Sequence, residues 1–183
     1  MTDPRGRRKE RERLAPRVPI LPFPTPVADA PLRIALHEGS RRELWPLFKL
    51  ADDSAVAIGE YLDEGVVHVA TTGELAVGHS QVMEVEPGVC ELRSLAVLPG
   101  RRRKGLGTRL VARSVSWLRE RSIHRLVTGI PSANLDVLGF YQRLGFRLVR
   151  VDRDAYGPEQ GYSEELRANG IRVLDRVWLE LEL

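Results

Sequence analysis

Between Val97 and Val111 the chain reads V-L-P-G-R-R-R-K-G-L-G-T-R-L-V, and no other stretch narrows the fold as much. An apolar run, V89-C-E-L-R-S-L-A-V-L98, has the character of a strand and stops at Pro99. The basic residues Arg101 to Lys104 follow. Gly105 and Gly107 then open a segment in which Leu106, Leu110, Val111, Val115 and Leu118 recur at helical spacing. A strand, a glycine-bearing turn and a helix make an anion site. The first amides of a helix have no internal partner, the helix dipole adds partial positive charge, and glycine lets an anion approach the main chain. Arg102, Arg103 and Lys104 add charge around the same turn. The nucleotide-triphosphate loop is excluded because G-x-x-x-x-G-K-[ST] is absent, and the dinucleotide pattern requires a third glycine.

The flanking segments supply the rest of a domain. L32-R-I-A-L-H-E38 reads as a first strand and Arg41 to Leu50 as a helix, and Asp52-Asp53-Ser54 caps a second helix ending near Gly65. V66-V-H-V-A-T-T72 and Leu75 to Glu84 are strands joined as a hairpin at Thr72-Gly73-Glu74. After the basic turn and its helix come a strand at Arg125 to Ile130, a helix at Asn134 to Leu144, a strand at Phe146 to Asp152 and a closing strand at Arg176 to Leu183. The order β-α-α-β-β-β-α-β-α-β-β places the chain in the α/β class, with a mixed sheet and helices on its faces.

The 183-residue length suits one domain, residues 32–183, behind an N-terminal arm, residues 1–31. The arm is charged from Arg5 to Arg13 and then proline-rich. Pro16, Pro19, Pro22, Pro24, Pro26 and Pro31 bar a helix interior or a central strand. It reads as an extended or disordered leader. Alternatively, Ile20, Leu21 and Phe23 give it something to bury on a partner subunit, which leaves room for a homodimer. The net charge of +3 is too small to imply a nucleic-acid binder, and Asp3, Glu10 and Glu12 dilute the basic arm. The single cysteine, Cys90, excludes an internal disulfide. No apolar run approaches the roughly 18 residues of a membrane span, and no secretory signal is evident, so a cytoplasmic protein is expected. The histidines and Cys90 show no ligand spacing, and no metal is expected.

The spacing R-x-x-G-x-G, Arg102 to Gly107, after a strand and at the head of a helix, resembles the pyrophosphate loop of the GNAT superfamily of acetyl-CoA-dependent N-acetyltransferases. A second block, N134-L-D-V-L-G-F-Y-Q-R-L-G-F146, is similar to that family's N-x(6)-Y spacing and its Y-x-x-L-G-F ending. The resemblance runs from Leu32 to the C-terminus. It extends to a small-molecule branch with L50-A-D-D-S54 before the second helix and N169-G-I-x-x-x-D-R-V-x-L179 at the end. It implies a mostly antiparallel sheet splayed between its fourth and fifth strands, with the cofactor arm in the gap. Leu95, Ala96 and Val97 would line that arm, their main chain pairing with it as a strand would. Arg102, Arg103, Lys104, Gly105, Leu106, Gly107 and Thr108 would cradle the pyrophosphate, and Asn134 would bond the arm from the far side. Tyr141 would protonate the leaving thiolate; the plainer reading is a tyrosine packed on the core.

Glu91 stands where a branch of the family carries its general base, with an exposed or Arg93-paired carboxylate as the alternative. His79 competes for the role, and deprotonation through water is the third option. In this fold the acceptor opening lies between the first two helices and the segment joining the last two strands. Both are acidic here, which singles out Asp53, Glu60, Asp152 and Asp154 for a cationic amine such as a polyamine or amino sugar. Tyr156 and Tyr162 could stack on it. Two solvated acidic surfaces are the plainer alternative. The implied activity is direct attack of a small primary amine on acetyl-CoA in a ternary complex. A protein N-terminal or lysine acetyltransferase and a non-catalytic CoA-binding module are the other classes.

Overall fold

Alternation along Val66–Thr72 puts Val67 and Val69 on one side of a sheet and His68 and Ala70 on the other. The computed structural model of the chain describes residues 31–183 and grows outward from that strand. The arm expected over residues 1–31 lies, but for Pro31, outside the described residues. The strands are β1 (Leu32–Leu36), β2 (Val66–Thr72), β3 (Leu75–Glu86), β4 (Val89–Val97), β5 (Arg125–Pro131), β6 (Arg147–Asp152), β7 (Arg167–Ala168), β8 (Ile171–Arg172) and β9 (Arg176–Glu182). The helices are α1 (Trp45–Ala51), α2 (Ala55–Tyr61), α3 (Leu106–Arg119) and α4 (Leu135–Arg143). Seven strands form one sheet in the order β1-β2-β3-β4-β5-β9-β6. Every neighbouring pair in it is antiparallel except β4 and β5, which are parallel with α3 as the crossover.

The sheet is covered on both faces. On one, Leu47, Phe48 and Ile58 of α1 and α2 bury Val67 and Val69. On the other, Leu106 and Leu110 of α3 sit on Ala70 and Val77, while Val111, Val115 and Leu118 sit on Val82, Cys90, Leu92 and Leu126. Tyr141 and Phe146, in and just beyond α4, complete that second layer over Ile130, Val177 and Leu179.

Three local departures from the sequence reading have physical causes. The first helix opens as a 3-10 turn at Arg41–Leu44 and becomes α-helical at Trp45, where Pro46 fits because a first-turn residue needs no donor. The second helix stops at Tyr61, four residues short of Gly65. Gln81 Nε2 donates to the Tyr61 and Glu64 carbonyls at 2.7 and 2.8 Å, and Arg41 donates to Leu62, Glu64 and Gly65, so the helix-end carbonyls are satisfied by side chains. The segment before β9 also holds a small hairpin, β7–β8, around Asn169-Gly170. Both of those residues have positive φ, 53° and 76°. Asn-Gly suits the two positive-φ positions of such a turn, and the sequence reading assigns no hairpin here.

Candidate functional site

Parallel pairing of β4 with β5 is limited to Val89, Cys90 and Glu91 against Arg125, Leu126 and Val127. Beyond them a bulge at Arg93 turns β4 aside. Val82 faces Leu92 and Gln81 faces Ser94, so Arg93 is the extra residue. Thr128 Oγ1 still reaches the Leu92 carbonyl at 3.0 Å, and past that link the strands part into a cleft of about 870 Å³.

One end of the cleft is made by main chain. Arg103 and Gly105 both take left-handed backbone, with φ of 60° and 76°, and Gly105 caps α3. The first intrahelical bond is Arg109 N to Gly105 O, and the amides of residues 103–108 have no partner among the described residues. Successive unpaired amides at left-handed turns form a concave anion site, strengthened by the dipole of a 14-residue helix. A Cβ built on Gly105 meets nothing within 4 Å, so the space before these amides is open and the φ alone demands glycine. Gly107 has a second duty, because its Cβ would meet the Phe140 ring at 3.4 Å where α4 approaches α3. Arg102, Arg103, Leu106 and Thr108 line this end. Lys104 does not; its Nζ lies 3.5 Å from the Gly100 carbonyl. Arg102 Nε donates to the Val97 carbonyl at 3.0 Å, so that carbonyl faces the gap, and strand alternation brings the main chain of Leu95 to the same side. Asn134 caps α4 through Oδ1, 3.4 Å from Val137 N, and lines the cleft opposite β4. The dimensions and charge of this end suit a phosphate-bearing ligand with an extended arm.

Where the strands part, Tyr141 comes from the α3/α4 face. It is 4 % exposed, between the rings of Phe140 and Phe146 at 5.1 and 5.2 Å, and it lines the cleft. Burial pushes its phenol up to about 12, so the hydroxyl stays protonated across the neutral range. Glu91 approaches from the opposite face. It is the last β4 residue paired with β5, it is 8 % exposed, and its Oε1 lies 3.5 Å from Arg93 Nη1. Of the readings offered for Glu91, the partner of Arg93 has a contact and the exposed carboxylate does not hold; Glu91 is not in the cleft lining, and as a base it would act from outside it. His79 is sealed away. Its Nε2 meets Ser94 Oγ at 2.8 Å, its ring lies 4.3 Å from Phe48, and burial lowers it to about 3. It neither lines the cleft nor could accept a proton near neutrality.

The other end is made by side chains from distant segments. Asp52, in the α1–α2 junction, accepts from Tyr61 OH at 3.3 Å, Tyr162 OH at 3.0 Å and Ser54 N at 3.0 Å. Burial first, and then the Asp52 carboxylate, raises both phenols, so each remains a donor. Ser54 caps α2 and donates to the Gln160 carbonyl at 3.0 Å. These bonds tie the segment between β6 and β9 across the mouth of the cleft. Tyr156 and Tyr162 meet edge to face at 5.1 Å, Arg93 lies 4.3 Å over the Tyr61 ring, and Arg176 lies 5.2 Å over Tyr156.

The acidic residues chosen from the sequence do not converge here. Asp53 lines the cleft beside Asp52, whereas Glu60, Asp152 and Asp154 do not. Glu60 lies on the exposed side of α2. Asp152 accepts from Trp178 Nε1 at 2.6 Å and pairs with Arg150 at 2.9 Å, and these partners, the indole first, hold its carboxyl below the usual range. Asp154 is exposed, its amide bonded to Asp175. Among the described residues, six arginines (Arg93, Arg102, Arg103, Arg143, Arg167 and Arg176) line the cleft against Asp52, Asp53 and Asp136. Net segment charge had suggested the reverse, because it does not tell which side chains turn inward. Arg93, Arg176 and Asp52 were the residues missed.

Comparison with known proteins agrees with this geometry. Residues 31–146 match the model of the acetyltransferase (GNAT) family. The uncharacterized N-acetyltransferase YvbK of Bacillus subtilis is 31 % identical over 152 residues, 83 % of this chain and 97 % of that protein. Among solved structures, an acetyltransferase of Bacillus subtilis in complex with CoA is 31 % identical with a TM-score of 0.75, covering 84 % of this chain and 99 % of the other. An IAA acetyltransferase from Bacillus cereus is 28 % identical with a TM-score of 0.76, covering 84 % and 100 %.

Proposed function

The chain belongs to the GNAT family of acetyltransferases and is an acetyl-CoA-dependent N-acetyltransferase, and from that premise we propose that it acetylates the primary amine of a small molecule by direct attack in a ternary complex. The observation that carries this reading is the gap past Glu91 and Val127, which has a row of bare amides at one end and Tyr141 in its lining. The amides of residues 103–108, with Arg102 and Arg103, would hold the pyrophosphate. The main chain of Leu95 and Val97 and the side chain of Asn134 would hold the arm, once Arg102 releases the Val97 carbonyl for it. Lys104 would add charge from outside the cleft.

Acetyl-CoA supplies the acetyl group and a thiolate leaving group. In the exchange the amine nitrogen gains the acetyl carbon, the C–S bond breaks with its electron pair on sulfur, and the proton lost by the amine balances the one gained by the thiolate. Tyr141 meets the charge developing on sulfur. Complete transfer from a phenol near 12 to a thiolate of pKa about 8.5 is uphill by roughly 5 kcal/mol. Its O–H therefore works mainly as a hydrogen bond to the departing sulfur, with the net proton coming from the amine. Glu91 does not line the cleft, so the amine proton leaves through water and Glu91 would assist only by way of that relay. Direct attack is further supported by Cys90. Burial first, and the Glu84 charge second, push this thiol up to about 11, which leaves no thiolate to carry the acetyl group near neutrality. A small acceptor is favoured because the segment tied down by Ser54 and Tyr162 narrows the opening that a peptide would need.

The test is a panel of primary amines and of peptides with free N-termini, incubated with acetyl-CoA and followed by thiol release. Small amines are expected to lead in kcat/KM. A tenfold lead for peptides would make this a protein acetyltransferase instead.

A further inference from the structure

At the acceptor end one guanidinium makes no ion pair among the described residues. Arg176 opens β9, and alternation turns Val177 and Leu179 into the α3/α4 core and Arg176 and Trp178 onto the opposite face. Its stem crosses Gly129 of β5, where a Cβ would come within 2.7 Å of Arg176 Cδ, so the glycine clears its path into the cleft. The guanidinium lies over the rings of Tyr156 and Trp178, 5.2 and 5.6 Å from their centroids. Its one hydrogen bond among the described residues is from Nε to Tyr156 OH, at 3.5 Å. No carboxylate among those residues comes within the 4.0 Å of an ion pair, and the Glu91 and Asp152 charges reach it only from farther off. The two Nη groups, which carry four of the five donors, are left for something in the cleft.

Arg93 stands across the gap on β4. Its guanidinium lies over the Tyr61 ring and meets Glu91 through a single contact at 3.5 Å. Two guanidiniums held on aromatic faces, with donor forks unfilled, match the planar fork of a carboxylate. They repel a polycation. Asp52, the nearby acid, is already satisfied by two phenols and an amide.

We propose that the acceptor carries a carboxylate as well as the amine that is acetylated, and that Arg176, with Arg93 beside it, binds that carboxylate. The substrate class is an amino acid or a similar amphoteric amine, in place of the polyamine or amino sugar suggested by segment charge. This rests on the acetyl-transfer reading above.

The test measures kcat/KM by thiol release at saturating acetyl-CoA for free amino acids, each beside its own amide and its decarboxylated amine, with putrescine and spermidine as polycations. At least one free acid should lead its amide and amine by about tenfold or more. Arg176→Gln should erase that lead through the acceptor KM and leave the acetyl-CoA KM within twofold. Gly129→Ala, which displaces the Arg176 stem and keeps its charge, should do the same in part, and it decides the matter if Arg176→Gln does not fold. Equal use of acids and amides, a lead for polyamines, or a uniform loss across all acceptors in the variant overturns the proposal and leaves acetyl transfer standing. No transfer to any amine, with acetyl-CoA binding intact by calorimetry, overturns both.

Discussion

At one end of the cleft the groups proposed to bind the pyrophosphate are main-chain amides from six consecutive residues, 103–108, unpaired among the described residues. At the other, Asp52, Arg93, Tyr156, Tyr162 and Arg176 come from the α1–α2 junction, β4, the segment before β9, and β9 itself. A main-chain site needs only backbone conformation, which a local run of glycine and basic residues encodes. A side-chain site needs several elements to arrive together, and each of its members could equally have pointed elsewhere. The first kind tolerates change in most neighbouring side chains and fails when backbone conformation is lost. The second should be tunable one residue at a time.

That contrast can be broken at its junction first. Tyr141→Phe keeps the ring between Phe140 and Phe146 and removes the hydroxyl; kcat should fall by about 10²–10³-fold with the acetyl-CoA KM little changed. A kcat within twofold of the parent would remove Tyr141 from the chemistry. Next is Gly105→Val, which forces a branched residue into φ of 76°. Acetyl-CoA affinity by calorimetry should drop by about tenfold to a hundredfold, the equivalent of one charge-assisted bond, while the variant stays folded by circular dichroism. Binding of acetyl-CoA by the parent should also weaken with added salt.

At the acceptor end the expected effects are smaller. Tyr162→Phe removes one of the two phenols on Asp52 and one tie across the mouth. The acceptor KM should rise by about threefold to tenfold and the acetyl-CoA KM should not move. If both move together, the two ends are not independent. The scaffold beneath both ends has its own signature in pH. Burial first, with the Arg113 and Arg121 charges second, lowers His68 to about 4, and burial lowers His79 to about 3. Each folded pKa lies below the unfolded value of about 6.5, so the unfolded chain binds the extra protons. The stability they lend is full above about pH 6.5 and drains as pH falls toward 4 and then 3, by at most about 1.4 kcal/mol per pH unit for each histidine. Urea midpoints recorded from pH 7.5 to 4.5 should decline over that window; a flat profile would count against buried neutral histidines. The smallest effect belongs to the acids outside the cleft. Glu60→Gln and Asp154→Asn should change acceptor kcat/KM by less than twofold, and a larger loss would restore them to the site.

Much of this was legible in the chain. The elements over residues 32–183 follow from period and from caps such as Ser54 and Asn134, whose side chains accept the Ala57 and Val137 amides. Splaying at β4 and β5 came from resemblance, and so did the placing of Tyr141. The acceptor end was misjudged because Asp152 to Glu165 was weighed by composition. Asp152 is spent on Trp178 and Arg150, and the residues of that segment that do turn inward are its tyrosines.

By itself, then, the sequence determined whatever depends on neighbours a few residues apart: the strand–turn–helix that bares six amides, the glycine where φ must be positive, and the caps and periods of the helices. Only the tertiary structure decided which charges share the cleft. Arg176 reaches it because Gly129, forty-seven residues earlier on an adjacent strand, lacks a Cβ, and Asp52 is engaged by a phenol 110 residues away. Electrostatic complementarity falls off over a few ångströms of space, and distances of that size between remote segments exist only once the chain is folded.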